Sequence, residues 1–171
     1  LLATGQYQKA IPVLRRLYQQ TPDPRFFAML LTALRASGEK NDLQQLLSGY
    51  LQQHSADLAA RLELADLAVK QGDIELAQQL YQQAPDLKTQ PILLNNLAYL
   101  LLSTQPDAAL NYASLAYQLL PQHPQIIDTY GWALTNAGKA EQALGVLRDA
   151  EIRAPGNQLI QLHLVETLRQ L

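Results

Sequence analysis

Apolar residues recur every three or four positions along most of the chain, in helix-length stretches separated by short turns. Ile127, Tyr130 and Leu134 follow this spacing in one stretch, and Leu147 belongs to the next. Positions three and four apart lie on the same face of an α-helix. Gly138, between the two stretches, is a typical helix-ending residue. The pattern predicts pairs of amphipathic helices joined by short turns.

The helix pair repeats along the chain at a nearly constant interval. Copies begin near residues 24, 58, 91, 124 and 158, at spacings of 34, 33, 33 and 34 residues. Such a period is the signature of a repeat architecture. We predict a second helix alone in 1–23, full units in 24–57, 58–90, 91–123 and 124–157, and a terminal helix in 158–171. The predicted fold is all-α, with about ten helices.

Small residues stand at fixed places in the unit that begins at Pro124. Gly131 lies inside its first predicted helix, where a glycine costs roughly 1 kcal/mol relative to alanine. Ala143 and Ala150 lie seven residues apart on its second helix. We interpret the three as clearances that allow neighbouring helices to approach closely, because larger side chains there would overpack the seam by about 1–3 kcal/mol each.

These residues give the chain a family resemblance. Gly131, Gly138, Ala143, Ala150 and Pro155 match the small and proline positions of the tetratricopeptide (TPR) repeat, a helix-turn-helix unit of about 34 residues. The chain resembles this family over its whole length, with departures: Arg61 occupies a usually apolar position, Pro85 comes four residues early, and the unit 24–57 has Leu43 and Tyr50 in place of the alanines. The resemblance implies a right-handed α-solenoid with a concave face.

In that family the first helices of the units line the concave groove. The resemblance therefore implies a partner protein or peptide bound in that groove. The candidate partner-binding residues are Arg25, Met29, Arg35, Glu63, Asp66, Asn95, Asn96, Tyr99, Asp128, Thr129, Trp132, Asn136 and His163.

Tyr99 and Trp132 occupy the same position in adjacent units, beside a polar row that includes Asn95 and Asn96. One interpretation is that the amides hydrogen-bond an extended peptide backbone while the aromatic rings provide contact area. The other is that the rings pack against the neighbouring first helix and the amides are only solvated. The sequence leaves both open.

The binding of chaperone C-termini, which some TPR domains carry out, is not expected here. That mode needs Lys, Asn and Arg at set groove positions, which in this chain hold Leu62, Asp66, Asn96, Gln125 and Thr129. Asn96 alone fits the pattern. A partner segment is therefore expected to bind in another way.

Composition narrows the function classes. The 13 basic and 15 acidic residues give a net charge of -2 without a basic stripe, which argues against nucleic-acid binding. With 0 cysteines, disulfides and thiolate metal sites are excluded. The longest nearly apolar run, Ile92 to Leu102, is too short to span a membrane.

No catalytic or metal-binding motif accompanies the repeats. The three histidines, His54, His123 and His163, fall in different units without a second ligand at suitable spacing, so we expect ordinary surface or helix-end residues and no metal. We therefore predict a non-catalytic protein-interaction scaffold without cofactors.

A narrower resemblance concerns the cellular setting. The run from Leu94 to Leu171 is similar to the C-terminal repeats of bacterial TPR lipoproteins that accompany exosortase/PEP-CTERM exopolysaccharide systems. This resemblance implies a periplasmic or outer-membrane-associated protein, although a cytoplasmic one is compatible with the sequence. Two alternatives stay open: a regulatory region of a larger enzyme or polysaccharide-export subunit, and an element that self-associates through its C-terminal helix.

Overall fold

A computed structural model of the chain describes residues 4–171. This part contains ten α-helices and one short 3-10 helix and has no strand, which confirms the predicted all-α class. The chain divides into two compact units, residues 1–73 and 74–171. Four helices belong to the first unit: α1 (Tyr7–Gln20), α2 (Pro24–Ser37), α3 (Lys40–Gln53) and α4 (Leu58–Gln71).

The second unit contains the other six α-helices. They are α5 (Ile74–Gln82), α6 (Pro91–Leu101), α7 (Pro106–Leu119), α8 (Pro124–Asn136), α9 (Ala140–Arg153) and α10 (Gln158–Arg169), with the 3-10 helix Leu87–Thr89 between α5 and α6. The boundary between the units falls inside the predicted repeat 58–90, so the division of the chain into repeats stays a prediction.

Local sequence signals explain where several helices begin and end. Asp57 and Asn157 cap the N-termini of α4 and α10 by accepting hydrogen bonds from main-chain N–H groups of the first turn. Gly72 ends α4 with a φ of 80°, a left-handed conformation that glycine adopts without steric cost. The early Pro85 accompanies the shortest α-helix, α5, because the residue before a proline disfavours helical dihedrals.

Close helix packing in the second unit depends on the small residues. A β-carbon added at Gly131 would lie 2.6 Å from Leu147 Cγ. Ala143 and Ala150 are completely buried on α9, in a core cluster that also contains Ile127 and Ile160. For Gly131, the interpretation as a clearance is confirmed.

In the first unit, larger side chains occupy the equivalent places. Because the predicted units begin at residues 24 and 124, the counterparts of Gly131, Ala143 and Ala150 are Leu31, Leu43 and Tyr50. Tyr50 stacks on Phe27 of α2, with ring centroids 4.2 Å apart. The seam between α2 and α3 is thus filled by leucines and aromatic rings, and it lacks the small residues that bring α8 and α9 together.

Candidate functional site

An open cleft of about 720 Å³ lies between α2, α3 and α4 of the first unit. Its apolar lining includes Leu34, Leu43 and Leu47, whose side chains are buried, together with Leu31 and Phe27. Charged side chains of α2, α3 and α4 also line it. An apolar recess with a few polar groups at its edge is typical of binding sites.

The cleft follows from the large residues in this unit. Leu31 and Leu43 both line it, at the positions where α8 and α9 have Gly131 and Ala143. Side chains of this size hold two helices further apart than glycine and alanine do, since core atoms do not interpenetrate. The space that opens beside them is the cleft.

An ion pair joins α2 to α4 at the cleft. The Arg35 guanidinium donates two hydrogen bonds to the Glu63 carboxylate. These hydrogen bonds raise the pKa of Arg35. Arg35, Glu63 and Asp66, three of the predicted partner-binding residues, all line this cleft.

Asp57 caps the N-terminus of α4. Its carboxylate accepts hydrogen bonds from the Ala60 N–H and from the Tyr50 hydroxyl, each at 3.0 Å. The main-chain hydrogen bond from Ala60 is the largest cause of a lowered Asp57 pKa, and the Tyr50 hydroxyl adds to it. Asp57 therefore joins the C-terminal part of α3 to the start of α4.

In the second unit, the predicted amide row on α6 is only partly accessible to solvent. The Tyr99 side chain is 53% exposed. Asn95 and Asn96 are half-buried. The Asn95 Oδ1 is a buried acceptor without a hydrogen-bond partner among the residues that the structure describes. An unpaired buried acceptor is costly, so this atom favours any donor that reaches it.

The corresponding residues of α8 pack against α10 instead. Asp128 and His163 are each 5% exposed, and His163 Nδ1 lies 2.8 Å from Asp128 Oδ1. Trp132 stacks on the His163 ring, with centroids 4.4 Å apart and an 8° angle between the planes. The expectation that His163 is an ordinary surface or helix-end residue is wrong, because α10 brings it against a carboxylate that is 35 positions away in the sequence.

A second polar contact accompanies this pair. The Thr135 and Thr167 hydroxyl oxygens lie 2.7 Å apart, and both residues are buried. Thr135 Oγ1 also lies 3.1 Å from the Gly131 carbonyl oxygen, and Thr167 Oγ1 lies 2.7 Å from the His163 carbonyl oxygen. Because each hydroxyl has one proton, one threonine donates to its carbonyl and the other donates either to its carbonyl or to the first hydroxyl. A row of paired polar groups thus runs along the contact between α8 and α10.

The other predicted partner-binding residues are placed as follows. Thr129 is buried, and its hydroxyl donates to the Gln125 carbonyl. Asn136 is exposed and donates to the Trp132 carbonyl. Arg25 is exposed and pairs with Asp23, and Met29 is exposed on the same helix. Whether these residues bind a partner stays a prediction.

Sequence reasoning did not single out several residues of the cleft, namely Phe27, Leu31 and Lys40. One signal was available in the repeat alignment. A leucine at position 31, where the later unit has Gly131, indicates a hairpin that is more open than the one formed by α8 and α9.

No helix in the described part of the chain is both long and apolar enough to cross a membrane. Within residues 4–171, no group of three or more His, Asp or Glu side chains is placed to hold a metal ion.

Comparison with solved structures identifies the class of fold. A TPR protein from Parabacteroides merdae ATCC 43184 superposes with a TM-score of 0.79 at 14% identity, over 99% of this chain and 68% of that one. YrrB, described as a TPR protein with an unusual peptide-binding site, gives a TM-score of 0.68 at 16% identity, over 92% and 91%. The chain thus has an all-α helical-repeat fold of the TPR type.

A third similar structure is the first TPR domain of Spaghetti (RPAP3) bound to the HSP90 peptide SRMEEVD. It has a TM-score of 0.56 and 21% identity, over 63% of this chain and 86% of that one. No protein-family model matches the sequence, and no curated protein matches it either. At these identities the likeness is one of fold.

Proposed function

We propose that this protein is a non-catalytic interaction scaffold that binds a segment of a partner protein, with the cleft between α2, α3 and α4 as its anchoring site. The observation that carries the proposal is the open 720 Å³ recess with its apolar lining and charged edge. Its volume lies in the range of about 300–1,000 Å³ typical of ligand pockets. Two proteins of similar fold, YrrB and RPAP3, are described with a peptide-binding site or a bound peptide, which supports a peptide as the ligand.

The second unit offers a further surface for the same segment or another one. Tyr99 is exposed, and the half-buried Asn96 lies one turn before it on α6. The Asn96 amide would hydrogen-bond the main chain of an extended peptide while the Tyr99 ring covers an adjacent side chain. Trp132 is less suited to this role, because one face of its ring is covered by His163.

Peptide display with a cleft-blocking variant tests the proposal. Ala59 lines the cleft and is exposed, so Ala59→Trp places a large ring in the recess without removing a core contact. Gln52→Trp, on an exposed position of α3 outside the cleft, is the matched control. A random peptide library should yield sequences that bind the native chain and Gln52→Trp equally but bind Ala59→Trp at least about tenfold more weakly. Selected peptides that bind Ala59→Trp as well as the native chain would contradict the placement.

The exposed face of α10 favours self-association as a second candidate function. Leu162 is 53% exposed and Val165 is 46% exposed, on the side of α10 opposite the buried Ile160 and Leu164. A contiguous apolar face of this kind is a common association surface. If it joins two copies, light scattering should show a mass that rises with concentration, and Leu162→Glu should abolish the rise while the exposed Gln161→Glu should not.

From the sequence resemblance that the run from Leu94 onward suggests, we extend the proposal to a bacterial-envelope setting, in which the scaffold assists exopolysaccharide assembly. The direct test is whether added protease cleaves the native protein in cells whose outer membrane has been removed and whose inner membrane is intact. Protection until the inner membrane is lysed would contradict a periplasmic location.

A further inference from the structure

A second recess, of about 370 Å³, lies between α1, α2 and α3 of the first unit. A face of α3 that extends from Asp42 to Gln53 lines it on one side, and Tyr18 of α1 lines it on the other. Leu30 and Leu34 of α2, which are buried, also line it. This α1–α3 groove shares Leu34 with the cleft beside α4 and is otherwise lined by different residues. It is therefore a separate candidate site.

The second unit shows which group fits at this place. Tyr117 of α7 is the counterpart of Tyr18, since in both cases a glutamine comes next and a proline follows four positions on. Tyr130 of α8 stacks on the Tyr117 ring, with centroids 4.9 Å apart and an 18° angle between the planes. The position equivalent to Tyr130 in the first unit holds Leu30, as counted from the unit starts at residues 24 and 124. The leucine leaves open the space that a tyrosine ring fills in the second unit.

The Tyr18 ring is therefore available to a stacking partner from outside the chain. Its ring contact within the described residues is a tilted one with Phe27, at a centroid distance of 5.8 Å. The other ring of the groove, Tyr50, already stacks on Phe27 and His54, with centroids 4.2 and 4.3 Å away. Aromatic rings stack favourably beyond the effect of the apolar area that they bury, so Tyr18 is the natural platform for an incoming ring.

Gly49, on the α3 face of the groove, adds room for such a ring. A β-carbon there would meet no atom within 4 Å, so packing within the chain does not explain this glycine, in contrast to Gly131. A glycine inside a helix is less favourable than an alanine. The missing side chain leaves space that a ligand can use.

The polar residues of the groove favour a neutral ligand with a hydrogen-bonding substituent. Its two charged residues, Arg15 and Asp42, pair with each other, so the lining has no unmatched charge. The amides of Gln19, Gln45 and Gln53 are exposed and have no hydrogen-bond partner among the described residues. Each amide offers donors and an acceptor. A phenol hydroxyl both donates and accepts, and it is not ionised at neutral pH.

We infer that the α1–α3 groove binds a neutral phenol-type ring, which stacks on Tyr18 as Tyr130 stacks on Tyr117 while its hydroxyl reaches the glutamine amides. Such a ring belongs either to a tyrosine side chain of another protein or to a free phenolic compound. The inference goes beyond the proposed function, because it adds a site that does not depend on the cleft.

Binding of p-cresol, which has the ring and hydroxyl of a tyrosine side chain, provides the test. A ¹H–¹⁵N NMR titration of the full chain should show shifts at main-chain amides of α1 and α3, with a dissociation constant of about 1–10 mM for so small a ligand. The saturated counterpart, 4-methylcyclohexanol, has the same hydroxyl but no aromatic face. It should bind at least about fivefold more weakly.

N-acetyltyrosinamide distinguishes the two sources of the ring. If it binds as tightly as p-cresol, the groove accepts a tyrosine that is attached to a peptide main chain. If it binds at least about fivefold more weakly, the groove is suited to a free phenolic compound.

Two variants should close the groove. Leu30→Tyr supplies the ring that the second unit has, and Gly49→Phe adds a ring where a β-carbon meets nothing. Each should weaken p-cresol binding at least about tenfold. Gly145→Phe, at a glycine of α9 with the same clearance, is the matched control and should bind within about twofold of the native chain. Ala59→Trp, which blocks the cleft, should also bind within about twofold.

The outcomes that overturn the inference are specific to this groove. They are equal p-cresol binding by the native chain and Gly49→Phe, equal binding of p-cresol and 4-methylcyclohexanol, or an absence of shifts at about 20 mM p-cresol. Circular dichroism of Gly49→Phe verifies that the variant is folded. None of these results concerns peptide binding in the cleft, so the proposed function is tested separately.

Discussion

Gly131 on α8 lies directly against Leu147 on α9, so closely that a β-carbon at residue 131 would lie 2.6 Å from Leu147 Cγ and 2.8 Å from its Cδ2. Non-bonded carbon atoms do not pack at such distances, because their optimum separation is about 3.5–4.0 Å. The contact explains why a glycine stands inside a helix, and it leads to the first prediction.

Gly131→Ala is expected to lower the free energy of unfolding by about 1–2 kcal/mol, since Leu147 must move and the overpacking exceeds the gain in helix propensity. Gly145→Ala is the matched control, because Gly145 is also inside a helix but a β-carbon there meets nothing within 4 Å. That substitution should raise stability by about 0.5–1 kcal/mol. Urea unfolding measures the free energy of unfolding of both variants. Equal changes for Gly131→Ala and Gly145→Ala would contradict the interpretation of Gly131 as a clearance.

His163→Ala is expected to destabilise the protein by about 2–4 kcal/mol, because it leaves the buried Asp128 carboxylate without its partner. The double variant Asp128→Ala/His163→Ala should cost less than the sum of the two single variants, since it removes both polar groups. The protein has 1 tryptophan, so the fluorescence of Trp132 reports the loss of the stacked ring directly. If the effects of the two single variants add up to that of the double variant, Asp128 and His163 are not energetically coupled.

Tyr99→Ala and Trp132→Ala should destabilise the protein to different extents, although the two residues occupy equivalent positions. Tyr99 is half exposed, so its loss should change the unfolding free energy by no more than about 0.5 kcal/mol. Trp132 stacks on His163, and its loss should cost about 2 kcal/mol or more. Thermal unfolding monitored by circular dichroism measures both effects. Equal destabilisation would mean that Tyr99 is also a packing residue.

Asp57→Asn should change how stability depends on pH. Hydrogen bonding lowers the pKa of Asp57 in the folded chain, so the unfolded state binds its proton at higher pH. The resulting stabilisation is present above the Asp57 pKa of the unfolded state, which is about 4, and is lost as the pH falls through the lower Asp57 pKa of the folded state. Asparagine keeps a capping oxygen but does not titrate in this range.

The comparison is made by urea unfolding at a series of pH values. The native chain should lose more stability than Asp57→Asn between neutral pH and about pH 3. Parallel curves for the two proteins would show that Asp57 contributes no pH dependence.

Much of the fold was predictable from local patterns. Helical periodicity and the places of Pro24, Pro91, Pro124 and Gly138 predict the helices, because amphipathic spacing and end-capping depend on residues only a few positions apart. The small residues at 131, 143 and 150 predict close packing for the same reason, since each acts through its own size. Arg61 is unusual at a position that is apolar in most repeats of this kind, and the structure buries it.

The sequence by itself thus determined the helices and a position at which α8 and α9 approach closely. Only the tertiary structure decided which polar residues face a ligand and which face a neighbouring helix. The same repeat position exposes Tyr99 and covers Trp132, and His163 meets Asp128 across 35 positions. Burial and hydrogen bonding arise from contacts between distant segments, and a one-dimensional pattern does not contain their geometry. The cleft beside Leu31 and Leu43 has the same origin, because its volume depends on how three helices settle around those side chains.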